Sequence, residues 1–389
     1  MSNILVKGFY GQNNLGDDYI LYSILDTLNS TGNHKVNIIS AGDADYSNLF
    51  TKFDNLECHL VPREKWRKFS KLSLLLKCNR WIIGGGGLWP SENPYGLNVL
   101  FREIRIGRML HAKCCFYGID INSITSLESK RAWKSISDET DFIYCRNDRS
   151  TKMLKELGCK NVYRCSDLTF GLLTDAEREK SKECLKKLNV CENEYVIWAV
   201  LMPWPTWEYD ETKHGERYHL LVHQLQEIAN SPQYDGMTHV FMPFHYQMEI
   251  PIIKDVVSGI HGKSVVCDVE KGIDIGEKRL LFKYAKQCVT MKFHGAMFSI
   301  FNGTPAAIVS YSDKTSDILK ELGLEEYCTE YGIRENQDFY KCFDLDIDRF
   351  HKVVDRSCQP EAKEKFVRAG ETLKALSNQS KEQLRLWLK

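Results

Sequence analysis

Short apolar runs alternate with amphipathic stretches along almost the whole chain. Ile4, Leu5 and Val6 form a strand-like run, and residues 19–28 then carry Ile20, Leu21, Ile24, Leu25 and Leu28 at the spacing of one helical face. Residues 36–40, 81–83, 114–117 and 142–145 read as further strands, and 102–110 and 149–157 as helices with a polar side. The stretch "DAEREKSKECLKKLNVCENE" (175–194) is charged and lacks a large apolar face, which suits an exposed helix and linker. A second series of strand-like runs follows in "YVIWAVLMP", "THVFMPF", "KSVVCDV", "CVTM" and "PAAIVSY", and residues 361–389 read as a closing amphipathic helix.

This alternation predicts an α/β protein of two Rossmann-like domains facing across a cleft, with mainly parallel sheets. The expected boundaries are 1–174 for the first domain, 175–194 for the linker helix, 195–360 for the second domain and 361–389 for the closing helix. In such sheets ligands sit at the carboxyl ends of the strands. The candidate residues are therefore sought where strands stop.

Composition narrows the picture. Hydrophobic residues make up 43% and charged residues 27% of the 389, as in ordinary globular proteins. Lys plus Arg and Asp plus Glu are both 52, so no global basic surface for nucleic acid is expected. The 14 cysteines show no C-x-x-C spacing and lie mostly in apolar runs, which predicts reduced core thiols rather than a metal site. The start "MSNILVKGFYG" lacks a signal peptide's features, and no run approaches the roughly 20 apolar residues of a membrane span. A cytoplasmic location is expected, with any membrane contact peripheral to the inner face.

Five stretches carry candidate chemistry. In "KGFYGQNNLGDDYIL" the glycine spacing fits no nucleotide loop, and Asp17 and Asp18 occupy the helix start that a phosphate would need. This loop either caps a helix or offers Asn13, Asn14 and Asp17 to the hydroxyls of a neutral sugar. "WIIGGGGLW" is either a tight strand-end turn or a backbone, including Gly85 and Gly86, that a ligand approaches closely. Arg146 follows a strand in "IYCRNDRS"; it serves a surface ion pair or grips a carboxylate through its planar fork, with Asp167, at the strand end after "VYRCS", placed to orient it. Trp204 and Trp207 in "LMPWPTWEYDETKH" either fold onto the core or stack on sugar faces. His245, after "FMPF", reads as a lone solvated histidine.

The fifth stretch, "TMKFHGAMFSIFNGTPAAIVSY", places His294 just inside a short helix that follows a strand. Gly295 and Ala296 leave the first turn uncrowded, no acid competes for it, and Lys292 adds a positive charge. A structural histidine is the plainer reading of His294. A group that binds an anion and moves a proton is the reading that the whole context favours.

Taken in order, these motifs resemble those of the polysaccharide pyruvyl transferase family. The segments "GFYGQNNLGDDYIL", "GGGGLW", "CRNDRS" and "KFHGAMFSIFNGTPAAIVSYSDK" are similar to its opening, glycine-rich, arginine and closing motifs. Asp18, Asn147, Lys292 and Phe293 depart from the residues usual there. The resemblance implies a GT-B-like fold and transfer of pyruvate from phosphoenolpyruvate to two hydroxyls of one sugar, free or in a lipid-linked oligosaccharide. It implies an acid–base role for His294 and donor binding by Arg146, so these two are the expected catalytic residues, and Lys292, Gly295 at the open helix start and Lys314 complete the expected donor site. Asn13, Asn14, Asp17, Gly85, Gly86, Trp204 and Trp207 are left for the acceptor. No cofactor and no metal are expected. The alternatives are a nucleotide-sugar glycosyltransferase on the same fold and a non-catalytic carbohydrate-binding protein.

Overall fold

A strand covered on both faces must be apolar almost without interruption, and the central strands here are. β8 (Tyr195–Ala199) and β12 (Ala306–Ser310) are buried at every position. The computed structural model describes residues 2–42, 44–62, 70–86, 93–121, 123–170, 175–204, 209–267, 273–331 and 345–389. Two sheets result. The first holds β1 (Ser2–Lys7), β2 (His34–Ser40), β3 (Leu56–Pro62), β4 (Arg80–Gly86), β5 (Lys113–Ile119), β6 (Phe142–Cys145) and β7 (Val162–Arg164). Its order is β3-β2-β1-β4-β5-β6-β7, with every pair parallel. The second adds β9 (Thr238–Phe241), β10 (Ser264–Val266), β11 (Gln287–Thr290) and β13 (Cys328–Glu330), in the parallel order β10-β9-β8-β11-β12-β13.

Each order reverses once, between β1 and β4 in the first sheet and between β8 and β11 in the second. Such reversals splay the connecting loops apart and leave a crevice at the strands' carboxyl ends. The chain divides into two units, Met1–Gly171 with Leu373–Lys389, and Leu172–Thr372. Each has its own core. Trp81, Phe116, Trp133 and Ile143 anchor the first, and Trp198, Phe241, Leu225 and Val354 the second.

Two strands, β3 and β13, lie outside the expectations, while β7 is the short strand expected within "VYRCS" before Asp167. β3 is an edge strand whose alternate residues, Glu57 and His59 among them, face water, so it shows no apolar run. β13 has three residues, too few for a period to register. β4 also continues past Ile83 through the glycines. There Gly85 has φ +74°, and a Cβ on it would lie 2.2 Å from Ile20 Cγ2. Only glycine allows that turn against the helix Leu15–Asn29. The helix expected at 102–110 begins earlier, at Pro94, because Asn93 caps it by accepting the Gly96 N–H at 3.0 Å.

Among the described residues no helix is long and apolar enough to cross a membrane, and no group of His, Cys, Asp or Glu is arranged to hold a metal ion. The described cysteines are free thiols, most of them buried.

Candidate functional site

Two strand-end regions in the first unit carry residues singled out by sequence. One is the β1/β4 reversal. Asn13 is exposed with φ 53°, and Asn14 caps the helix Leu15–Asn29 by accepting the Gly16 N–H at 3.1 Å. Asp17 is buried beside Tyr10, whose hydroxyl donates to the Gly84 carbonyl at 2.9 Å. Burial first, and then the Asp17 charge, push the Tyr10 phenol far above its usual range. Tyr46 donates to Asp18 and accepts the Gly11 N–H at 2.5 Å, fixing the loop from the other side. Of the three residues proposed for hydroxyls, Asn13 alone is exposed; Asn14 acts as a cap and Asp17 is enclosed. Gly85 and Gly86 are buried strand residues, and the close approach at Gly85 is made by Ile20 rather than left to a ligand.

The second region lies at the ends of β5, β6 and β7. Arg146 is 3% exposed and donates to Asp167 at 2.8 Å and to Asp120 at 2.9 Å. Asp120, fully buried, also accepts from Asn147 Nδ2 at 2.7 Å and Ser150 Oγ at 3.0 Å. Burial alone would raise the Asp120 pKa, but the Arg146 charge and these donors hold it well below the usual carboxylate range. The expected ligand-gripping fork is thus turned inward onto two carboxylates, with Asp167 as the partner that sequence suggested. Asp120 was not anticipated, although it directly follows a strand just as Arg146 does.

In the second unit, the β8/β11 reversal brings the closing motif together. Helix Phe293–Asn302 starts at the end of β11 with Lys292 as its N-cap, no side-chain cap and no acid in its first turn. First-turn amides have no acceptor within their own helix and carry a partial positive charge, so the end favours an anion. His294 stands in that turn, half-buried, with its ring edge-on to Phe293 at 5.2 Å. Lys314, on the helix Asp313–Glu321, brings its ammonium to 5.8 Å from the Phe293 ring centre. Lys292 pairs with Glu249, a carboxylate only 1% exposed. Lys292 is thus partly neutralised by Glu249, and Lys314 stands over Phe293 and Tyr311. Gly295 has a packing reason of its own, since a Cβ there would lie 2.3 Å from Thr290 Oγ1.

Two sequence readings need correction. Trp204 is 1% exposed and stacked on His214 at 4.7 Å, so it belongs to the second core and offers no sugar platform. Trp207 lies outside the described residues, as does Gly87. His245 is not a solvated bystander: its Nδ1 is buried, and it begins the helix that carries Glu249. Glu249 was missed altogether. Its signal was available as a carboxylate four residues after His245, in the first turn of that helix.

The family model described as polysaccharide pyruvyl transferase matches residues 14–313. The chain belongs to that family. The matched span includes His245, Glu249, Lys292 and His294, and Lys314 follows it by one residue. This is a transferase family, so the chain is placed among enzymes. No curated protein matches the chain. Among solved structures, the Anabaena HepE protein in complex with UDP and glucose is similar over 100% of this chain and 99% of its own, at 12% identity and a TM-score of 0.56. The UDP-GlcNAc 2-epimerase of Neisseria meningitidis covers 100% of both chains at 13% identity and 0.57. That of Methanocaldococcus jannaschii covers 98% of this chain and 99% of its own at 11% and 0.59. These likenesses establish the fold, an α/β architecture of the GT-B-like kind with two parallel sheets.

Proposed function

We propose that the chain transfers the pyruvyl group of phosphoenolpyruvate to two hydroxyls of one sugar, forming a cyclic ketal and releasing phosphate. The observation that carries this reading is the uncapped, acid-free start of helix Phe293–Asn302, with His294 in its first turn and Lys292 and Lys314 beside it. Phosphoenolpyruvate brings a carboxylate and a phosphate, which suit an acid-free helix start with lysines close by. Its C2 becomes electrophilic once the methylene carbon is protonated. His294 supplies that proton as one sugar hydroxyl adds to C2, and the helix start with the two lysines stabilises the phosphate that departs in the second step. A second hydroxyl of the same sugar then attacks C2 and closes the ring. Holding donor and diol together removes much of the entropic barrier to that closure.

On this reading the donor is the soluble one, no cofactor is needed, and the reaction belongs to the cytoplasmic side. Contact with a membrane enters only through a lipid-linked acceptor. Phosphate release from phosphoenolpyruvate in the presence of candidate sugars tests the proposal, with nucleoside diphosphate release from UDP-sugars as the competing outcome. His294→Ala should fold normally and lose about 10²-fold or more in turnover, the usual share of a general acid–base group. Unchanged turnover removes His294 from the chemistry.

A further inference from the structure

In the first half of the proposed reaction a proton is added to carbon while another leaves a sugar oxygen. One imidazole cannot do both at once, so a second proton-transfer group is required near His294.

His245 stands at the end of β9, which pairs with β8 on the side away from β11. It is the N-cap of helix Tyr246–Ser258, yet its side chain makes no capping bond. Its Nδ1 is buried without a hydrogen-bond partner, while the residue as a whole stays partly exposed. An unsatisfied buried polar atom costs about 1–3 kcal/mol, so its retention asks for a reason beyond packing.

The surroundings tie this ring to the turn that carries His294. Glu249 Oε2 accepts the backbone N–H of Phe244 at 2.7 Å and of His245 at 3.2 Å, while Oε1 holds the Lys292 ammonium. The Phe244 ring lies 5.6 Å from that of Phe298, on the helix that His294 begins. One buried carboxylate therefore fixes the His245 backbone on one side and the Lys292 side chain on the other. The charged groups that face His245 are Glu249 and Lys292. Burial lowers the imidazole pKa, Glu249 works against that, and Lys292 adds to it; the net direction is down. The ring is accordingly neutral near pH 7, the state that accepts a proton.

We propose that His245 is the second proton-transfer residue of this site, taking the proton of the attacking sugar hydroxyl while His294 delivers one to the methylene carbon. The inference rests on the reaction proposed above, and the protons balance. In the first step the sugar O–H proton moves to His245, a C–O bond forms at C2, and His294 protonates C3 to a methyl group. In the second step His294 takes the proton of the neighbouring hydroxyl, the second C–O bond forms, and the bond from C2 to the phosphate oxygen breaks. His245 returns its proton to the departing phosphate. Two protons leave the sugar, one ends on carbon and one on phosphate, and both imidazoles are restored.

The test measures phosphate release from phosphoenolpyruvate with methyl glycosides of galactose, glucose and mannose and with UDP-N-acetylglucosamine, using the full chain. His245→Ala should lower kcat about 10²-fold, with KM for phosphoenolpyruvate nearly unchanged, and added imidazole should restore part of the loss. His245→Gln keeps the polar shape if the alanine variant folds poorly; it should show the same kcat loss without imidazole rescue. A kcat within threefold of wild type in the folded glutamine variant, a change confined to KM, or a loss in the alanine variant that imidazole leaves untouched each overturns the proton-transfer role alone. No release by the wild-type chain across the whole panel overturns this inference together with the reaction on which it rests.

Discussion

The ends of β5–β7 and the ends of β9–β11 carry similar inventories: cations, carboxylates and a helix start at the carboxyl edge of a parallel sheet. They use them in opposite ways. Around Arg146 the charges are enclosed and matched, with Asp120 and Asp167 on the guanidinium and Arg149 completing the balance at 3.5 Å from Asp120. Around His294 one ion pair, Lys292 with Glu249, borders a helix start that has no side-chain cap, and two histidines stay partly exposed. The first region lies away from its sheet's reversal and the second flanks it. A strand-end cation thus becomes available to a ligand only after its neighbouring carboxylates have been counted. Position relative to the reversal decides more than residue type.

Three predictions, resting on four substitutions, sharpen this contrast. The largest effect belongs to Arg146→Met, which leaves two carboxylates buried without their shared partner. It should cost about 3–5 kcal/mol in a denaturant melt. A variant that melts like wild type but loses affinity for phosphoenolpyruvate would instead make Arg146 a donor-binding residue, as the family resemblance implies. Next, Gly295→Ala places a methyl group against Thr290 and should lower stability by about 1–3 kcal/mol, as overpacked cores do. Pairing it with Thr290→Ser tests the cause, because Oγ would remain and the clash should persist. Smallest is an acid effect. Asp120 has its folded pKa depressed below 3.8, so its stabilisation is complete above that value and is lost as pH falls through the folded one. Its slope cannot exceed about 1.4 kcal/mol per pH unit. Melts between about pH 5 and pH 2 should show a shallower decline for Asp120→Asn than for wild type, offset by that variant's lower starting stability.

Much of the fold was legible because parallel strands covered on both faces announce themselves as apolar runs. "YVIWA" and "AAIVS" are unmistakable, whereas β3, with one polar edge, and the three-residue β13 give no comparable signal. The helix start at His294 was legible too, since "KFHGA" shows both the small residues and the missing acid. What sequence could not supply was pairing across long separations. Arg146 meets Asp120 from 26 residues away, and Lys292 meets Glu249 from 43. Those two contacts decide which cation is enclosed and how far the other is neutralised. Trp204 shows the same limit in another form. A tryptophan in a proline-rich loop reads as a platform until the chain folds it against His214.

The closing helix Pro360–Leu388 has a consequence for how the molecule comes into being. Its last turns belong to the unit built from the chain's beginning: Trp387 donates to Asp141 at 3.0 Å and rests its ring 5.6 Å from Phe142, and its carbonyl accepts from Arg80 at 3.1 Å. A ribosome delivers residues in order, at roughly 5–20 per second. The earliest strands are therefore made well before the tryptophan that packs against the first residue of β6. The half of the protein that is born first is the half finished last.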